Sequence, residues 1–194
     1  MTKEESLPKG VGHYLAGRLR YLRTARAWSL DRTATETGVS KAMLGQIERG
    51  ESSPTVATLW KIAGGFECSL SSFLAETSNS KAALFLSAET VRAKPALDDM
   101  LVAPLFPYEP RFGFELFEIT LLPGYARHSD AHATGVTEHV VVVRGHMDVL
   151  ISGVWANLSE GDAVRFAADS AHGYRNLGAA PAVFHNLIHY PQKA

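Results

Sequence analysis

The sequence predicts an α+β multidomain fold in which five short helices precede a β-sandwich or barrel. Between Tyr14 and Leu74 the apolar residues recur at helical spacing, with Leu15, Leu19 and Leu22 on one stripe and Leu59, Ile62, Ala63 and Phe66 on another. Glu76 to Ser80 (ETSNS) is a polar break. Beyond it the period changes to two, with Gly and Pro punctuation, as strands require. A chain of 194 residues, 46% of them hydrophobic, is long enough for two small cores.

In chain order, Met1 to Gly10 (MTKEESLPKG) is charged and turn-forming, so residues 1–11 read as a flexible tail rather than a signal peptide. No apolar run is long enough to span a membrane, and a cytoplasmic location is expected. Residues 12–75 form the helical domain. Ser29 can cap its second helix, and Ser53-Pro54-Thr55 stops the chain and caps the fourth. Between the second and third helices, Gly38 can take the left-handed conformation and Ser40 can cap the third, so the two meet at a sharp angle. On the third helix Val39, Leu44 and Ile47 point to one side and suit a core, whereas Lys41, Ala42 and Gln46 point to the other.

Residues 76–105 read as a linker with edge strands, Ala83–Leu86 and Met100–Val102, that cover the barrel. Residues 106–194 form the barrel domain, with strands expected at Phe114–Leu122, Thr137–Val143, His146–Ile151, Ala163–Phe166 and Ala182–Tyr190.

Composition narrows the function. The net charge of −1 hides an asymmetry, because residues 1–75 hold 10 Lys/Arg against 7 Asp/Glu and residues 76–194 hold 9 against 13. A basic first half suits nucleic acid, and an acidic second half repels phosphate. The single cysteine, Cys68, excludes an intramolecular disulfide and a Cys-based zinc site. Of eight histidines only His13 lies in the first half, and that clustering calls for a local cause in the second.

Thr37-Gly38-Val39-Ser40, followed by Ile47-Glu48-Arg49-Gly50 and Pro54, resembles the helix-turn-helix domain of the Xre family, the lambda-repressor type, over residues 12–74. The resemblance places Ser40, Lys41, Ala42 and Gln46 where the recognition helix touches bases and adjacent phosphates, and Arg23 and Glu48 where the family makes a largely buried ion pair. Gln46 can bond adenine in bidentate fashion, Lys41 can reach guanine or a phosphate, and the Ala42 methyl can touch a thymine methyl. Leu30 stands where the family commonly has a phosphate-bracing Gln. Of the basic run Arg18, Arg20, Arg23 and Arg26, only Arg23 is expected to be structural.

From Gly124 to Asn176 the chain resembles a cupin, a double-stranded β-helix barrel. The first cupin motif survives as Gly124-x5-Asp130-x-His132-x5-Glu138-x6-Gly145, with Asp130 in place of the usual first His. The second survives as Gly161, His172 and Asn176, with Ala167 and Asp169 replacing Pro and Gly. The resemblance implies that His132, Glu138 and His172 supply three ligands to a divalent metal, with Asp130 or His128 as a fourth; zinc, iron or nickel suits such a set. The same residues equally suit a metal-free effector pocket. Strand parity turns His139 away from Glu138, makes His185 and His189 candidate pocket residues, and His146 reads as a turn residue.

Together these features resemble two-domain Xre–cupin regulators. The expected protein is not an enzyme but a sequence-specific transcriptional regulator, a homodimer on an inverted-repeat operator of double-stranded DNA, whose barrel senses a small-molecule effector. The competing class is a cupin-type metal-dependent enzyme, a dioxygenase or isomerase, carrying a helix-turn-helix domain.

Overall fold

The computed structural model describes residues 9–74, 86–92 and 98–191, with side chains from residue 13 onward. The polar break at 76–80, residues 83–85 of the expected first edge strand and most of the N-terminal tail lie outside the described residues. The chain divides into two compact units.

The first unit holds α1 (Lys9–Ala25), α2 (Leu30–Thr37), α3 (Lys41–Glu48), α4 (Val56–Gly65) and a fifth helical segment, the single 3₁₀ turn Leu70–Phe73. Leu15 and Leu19 of the first stripe are buried with Leu44, Ile47, Leu59, Ile62, Phe66 and Phe73, while Leu22 is half-buried. Each fully buried side chain of this kind contributes about 1.5–3 kcal/mol. The caps form as the sequence indicates. The Ser29 hydroxyl accepts from Arg32 N, that of Ser40 from Met43 N and that of Thr55 from Thr58 N, so each helix start satisfies one of its open N–H groups. Asp98 reaches back to the same α4 terminus, its carboxylate accepting from Val56 N at 3.0 Å.

The α2–α3 turn depends on Gly38, whose φ of 66° is the left-handed conformation. A second glycine acts through its lack of a side chain. A Cβ on Gly65, at the end of α4, would stand 2.7 Å from the Glu36 carbonyl oxygen and from Thr37 Cα. The two helix ends therefore pass at a distance that only glycine permits.

The second unit contains the short α5 (Ala88–Val91) and nine strands: β1 (Met100–Glu109), β2 (Phe114–Leu121), β3 (Ala126–Ser129), β4 (Thr137–Arg144), β5 (His146–Ile151), β6 (Val154–Ser159), β7 (Ala163–Ala167), β8 (His172–Arg175) and β9 (Ala182–His189). They form a five-stranded sheet, β1-β2-β9-β4-β7, and a four-stranded sheet, β3-β8-β5-β6. Every pairing among them is antiparallel. Met100–Val102 does lie on an edge strand, but that strand runs on to Glu109 and pairs with β2. Alternation sets the interior: on β4 the buried positions are Glu138, Val140 and Val142, and on β9 they include Phe184, Asn186 and Ile188. Phe117, Phe184, Val149 and Met147 fill much of the space between the sheets. Among the described residues no helix is long and apolar enough to cross a membrane.

Candidate functional site

In the helical unit, α3 displays Lys41, Ala42 and Gln46 to solvent, with the N-cap Ser40 also exposed, while Leu44 and Ile47 hold the opposite face in the core. Lys41 Nζ lies 2.8 Å from Asp31 on α2, and both groups are solvated. That pair is worth little and leaves Lys41 available to a phosphate or base.

Arg23 and Glu48 meet as the resemblance implies. Arg23 Nε donates to Glu48 Oε1 at 2.7 Å and Nη2 to Oε2 at 3.0 Å, and Nη1 donates to the Trp28 carbonyl at 3.0 Å. The bond to Glu48 raises the Arg23 pKa further, against a smaller opposing effect of burial. Arg20 and Arg26 are exposed, as expected, and each also touches the body of the domain. Arg20 donates to the Glu48 carbonyl at 3.1 Å, and Arg26 lies over the Trp28 and Phe66 rings while donating to the Phe66 carbonyl. Their long stems reach core-facing groups that a one-dimensional pattern does not display.

Inside the barrel, three of the predicted site residues converge. His132 Nε2 lies 2.8 Å from Glu138 Oε1 and His172 Nε2 lies 3.4 Å from the same oxygen, so one ligand atom from each residue falls within 4.8 Å of the others. The other carboxylate oxygen, Oε2, accepts from Asn186 Nδ2 at 2.8 Å and from the Tyr174 hydroxyl. Burial alone would push the Glu138 carboxyl up, but the hydrogen bonds and charges of His132 and His172 hold it far below the usual carboxylate range. For His172, burial acts downward and is outweighed by Glu138, so its pKa is raised. Tyr174 is pushed well above the ordinary phenol value by burial and by the adjacent Glu138 charge.

The other candidates lie elsewhere. Asp130 and His128 are exposed at the end of β3, and His128 packs edge-on to Trp155 at 5.6 Å, so neither joins the cluster. His185 and His189 occupy outward positions of β9; His185 lies 3.7 Å from Glu118, and the inward positions between them belong to Asn186 and Ile188. His139 also faces away from Glu138, as parity requires. His146 opens β5 directly after Gly145. Asn176 is structural: it donates to the Leu121 and Ala180 carbonyls and accepts from Gly178 N, which closes the turn before β9. The sequence reading missed Tyr174 and Asn186. Tyr174 lies two residues after His172 on the same strand and therefore on the same face, so period two alone could have found it.

The donor set fits a divalent metal. His172 Nδ1 donates to the Ser170 carbonyl at 2.9 Å, so in the neutral imidazole Nε2 carries a lone pair aimed at Glu138 Oε1. A lone pair facing a carboxylate oxygen in a buried site requires a proton or a cation between them. Two imidazoles and one carboxylate, with Tyr174, Asn186 and Ser170 fixing their outer atoms, form the arrangement that imidazole-binding metals such as iron, zinc and nickel accept.

Comparison with known proteins agrees with both halves. A helix-turn-helix family model (HTH_3) matches residues 19–73 and a cupin domain model (Cupin_2) matches residues 117–188. The HTH-type transcriptional regulator SutR of Escherichia coli strain K12 is 46% identical over 184 residues, covering 95% of this chain and 99% of that protein. The crystal structure of an HTH_3 family transcriptional regulator from Vibrio cholerae is similar with a TM-score of 0.78 and 44% identity, covering 94% of this chain and 98% of that one. A Cupin_2 domain of an XRE family transcriptional regulator from Enterobacter cloacae is 46% identical, covering 48% of this chain and 99% of that one, with a TM-score of 0.48. With a relative this similar along nearly its whole length, the chain belongs to the XRE family of helix-turn-helix transcriptional regulators that carry a cupin domain.

Proposed function

We propose that this regulator reads an operator through α3 and changes its operator affinity when the barrel binds a small polar metabolite, directly or through a divalent ion. The convergence of His132, Glu138 and His172 inside the barrel carries the reading. Three ionisable groups so enclosed are costly unless they meet a proton, a metal or a ligand. Asn186 Oδ1 is a further buried acceptor, with no hydrogen-bond partner among the described residues, and suits an N–H or O–H of the effector. His132, Glu138 and His172 would hold the metal. When bound, such an ion supplies open coordination positions for an oxygen- or nitrogen-bearing effector. The protein acts on DNA in the cytoplasm and is not an enzyme.

The small reading face presents one recognition helix per chain. A homodimer on an inverted repeat, with half-sites about one helical turn apart, supplies the second. Coupling needs an effector that binds one arrangement better than the other, and it is reciprocal.

The test is calorimetry of Fe(II), Zn(II), Ni(II) and a metabolite panel against wild type and His172→Ala, with and without operator. Operator should shift the affinity for the metal or metabolite by the same factor by which that ligand shifts operator affinity, and His172→Ala should lose that binding. Equal affinity with and without DNA would remove the sensor role. One protomer per operator would remove the dimer.

A further inference from the structure

We propose that a hollow on the outward face of α3 receives the 5-methyl group of a thymine, with Leu30 as the residue that makes it select thymine over cytosine. The proposal rests on the reading that α3 enters the major groove. Residues 41, 42, 45, 46 and 49 share one face of the helix and its C-terminal cap, and the side chain missing from that face is that of Gly45. Around the place a Cβ on Gly45 would occupy, Leu30 Cδ1 stands at 3.9 Å and Arg49 Nη1 at 3.1 Å. Leu30 therefore reaches across from α2 to wall a hollow of about 500 Å³ that is floored by Ala42 and Gly45 and rimmed by Lys41, Gln46 and Arg49.

The rim holds two cations and an amide and no carboxylate. Lys41 and Arg49 are each engaged from outside the rim, by Asp31 at 2.8 Å and Glu51 at 2.7 Å, in solvated pairs that phosphate can displace. A cationic rim around an apolar floor, continuous with the bases' expected contacts at Lys41, Ala42 and Gln46, matches duplex DNA in one way. Among the groups that the major-groove edges present for readout, the thymine C5 methyl is the apolar one. Leu30, which cannot brace a phosphate as Gln would, instead encloses that methyl.

The experiment uses the full-length protein and an operator selected from random duplex DNA, in which each thymine is replaced singly by deoxyuridine, removing only the methyl. One position per half-site should lose about fourfold in affinity, the equivalent of ~0.8 kcal/mol for one buried carbon. In Leu30→Gln the thymine-to-uracil ratio at that position should fall to near one, and Gly45→Ala, which puts a methyl into the hollow, should do the same. Circular-dichroism melts establish that each variant folds, and either variant suffices for the test. If selection returns no preferred sequence, the reading of α3 fails and this inference with it. If it returns an operator in which no thymine-to-uracil change matters, or if the ratio persists in a folded variant, the hollow is not a methyl site although α3 still reads DNA.

Discussion

Removing Glu48 tests the helical domain at its most consequential polar contact. Glu48→Ala deletes two hydrogen bonds to a cation, of 2.7 and 3.0 Å, and leaves the Arg23 guanidinium, whose side chain is 19% exposed, bonded to the Trp28 carbonyl alone. Hydrogen bonds to charged groups contribute about 1.5–3 kcal/mol each, and the exposed part of Arg23 recovers some of that from water. The net loss should be about 3 kcal/mol, at the lower edge of the range for breaking a buried pair. For a domain of this size each kcal/mol moves the melting temperature by roughly 4–8 °C, so a fall of roughly 12–24 °C is expected. Arg23→Met should cost more, because Glu48 is the more deeply buried partner at 6% side-chain exposure and would keep only Arg20, 3.7 Å away. Replacing both by Met removes both charges and should cost less than either single change. Scanning calorimetry of the full chain, with amide hydrogen exchange in α3 to assign the transition, measures all three. Unchanged α3 protection in the single variants, or a double variant as costly as the sum of the singles, would refute the argument.

Three further outcomes are expected. Gln46→Ala should lose about 1–3 kcal/mol at the cognate operator and little on scrambled DNA, as paired titrations at one salt concentration will show; equal losses on both would mean Gln46 does not read a base. Asn186→Leu should leave Glu138 Oε2 held by the Tyr174 hydroxyl alone and weaken metal affinity by about 10–100-fold in chelator competition, because groups that fix a ligand's outer atoms typically matter that much; unchanged affinity would show that Asn186 does not orient the carboxylate. Protein stripped of metal should be most stable between the unfolded carboxyl and unfolded imidazole pKa values. The depressed Glu138 contributes stability above its unfolded pKa that is lost on acidification, whereas His172 contributes below its unfolded pKa and loses that contribution as pH rises through its raised folded value. A flat stability profile across both ranges would show that the cluster does not titrate with folding.

The helical half was legible because its signals are local. Caps at Ser29, Ser40 and Thr55 and the left-handed Gly38 act within a few residues, and the motif that carries them is contiguous. The barrel was legible where alternation is strong, as on β2, β4 and β9, and illegible on β3, β6 and β8. Two of the missed strands have only four residues, and β6 is an edge strand whose residues are all exposed or half-exposed, so no apolar period marks it. At the site, His132, Glu138 and His172 stood out by residue type. Asn186 did not, because the last strand was read from its two histidines; its apolar neighbours of the same parity, Phe184 and Ile188, mark the inward face. The exposed position of Asp130 follows from the path of the chain after β3, which depends on pairing with β8, a strand distant in sequence.

The seam at Gly65 also bears on how such a protein can change its target. It lies where α4 crosses the end of α2, and there even one added carbon meets backbone. Lys41, Ala42 and Gln46, by contrast, are all exposed and are not part of the buried core. Frame and message are therefore held by different residues. On the proposed reading of α3, drift at the three exposed positions can acquire a new operator without repacking the domain, while the crossing of α4 over the end of α2 stays frozen, so a lineage of such regulators can diverge in vocabulary and keep one grammar.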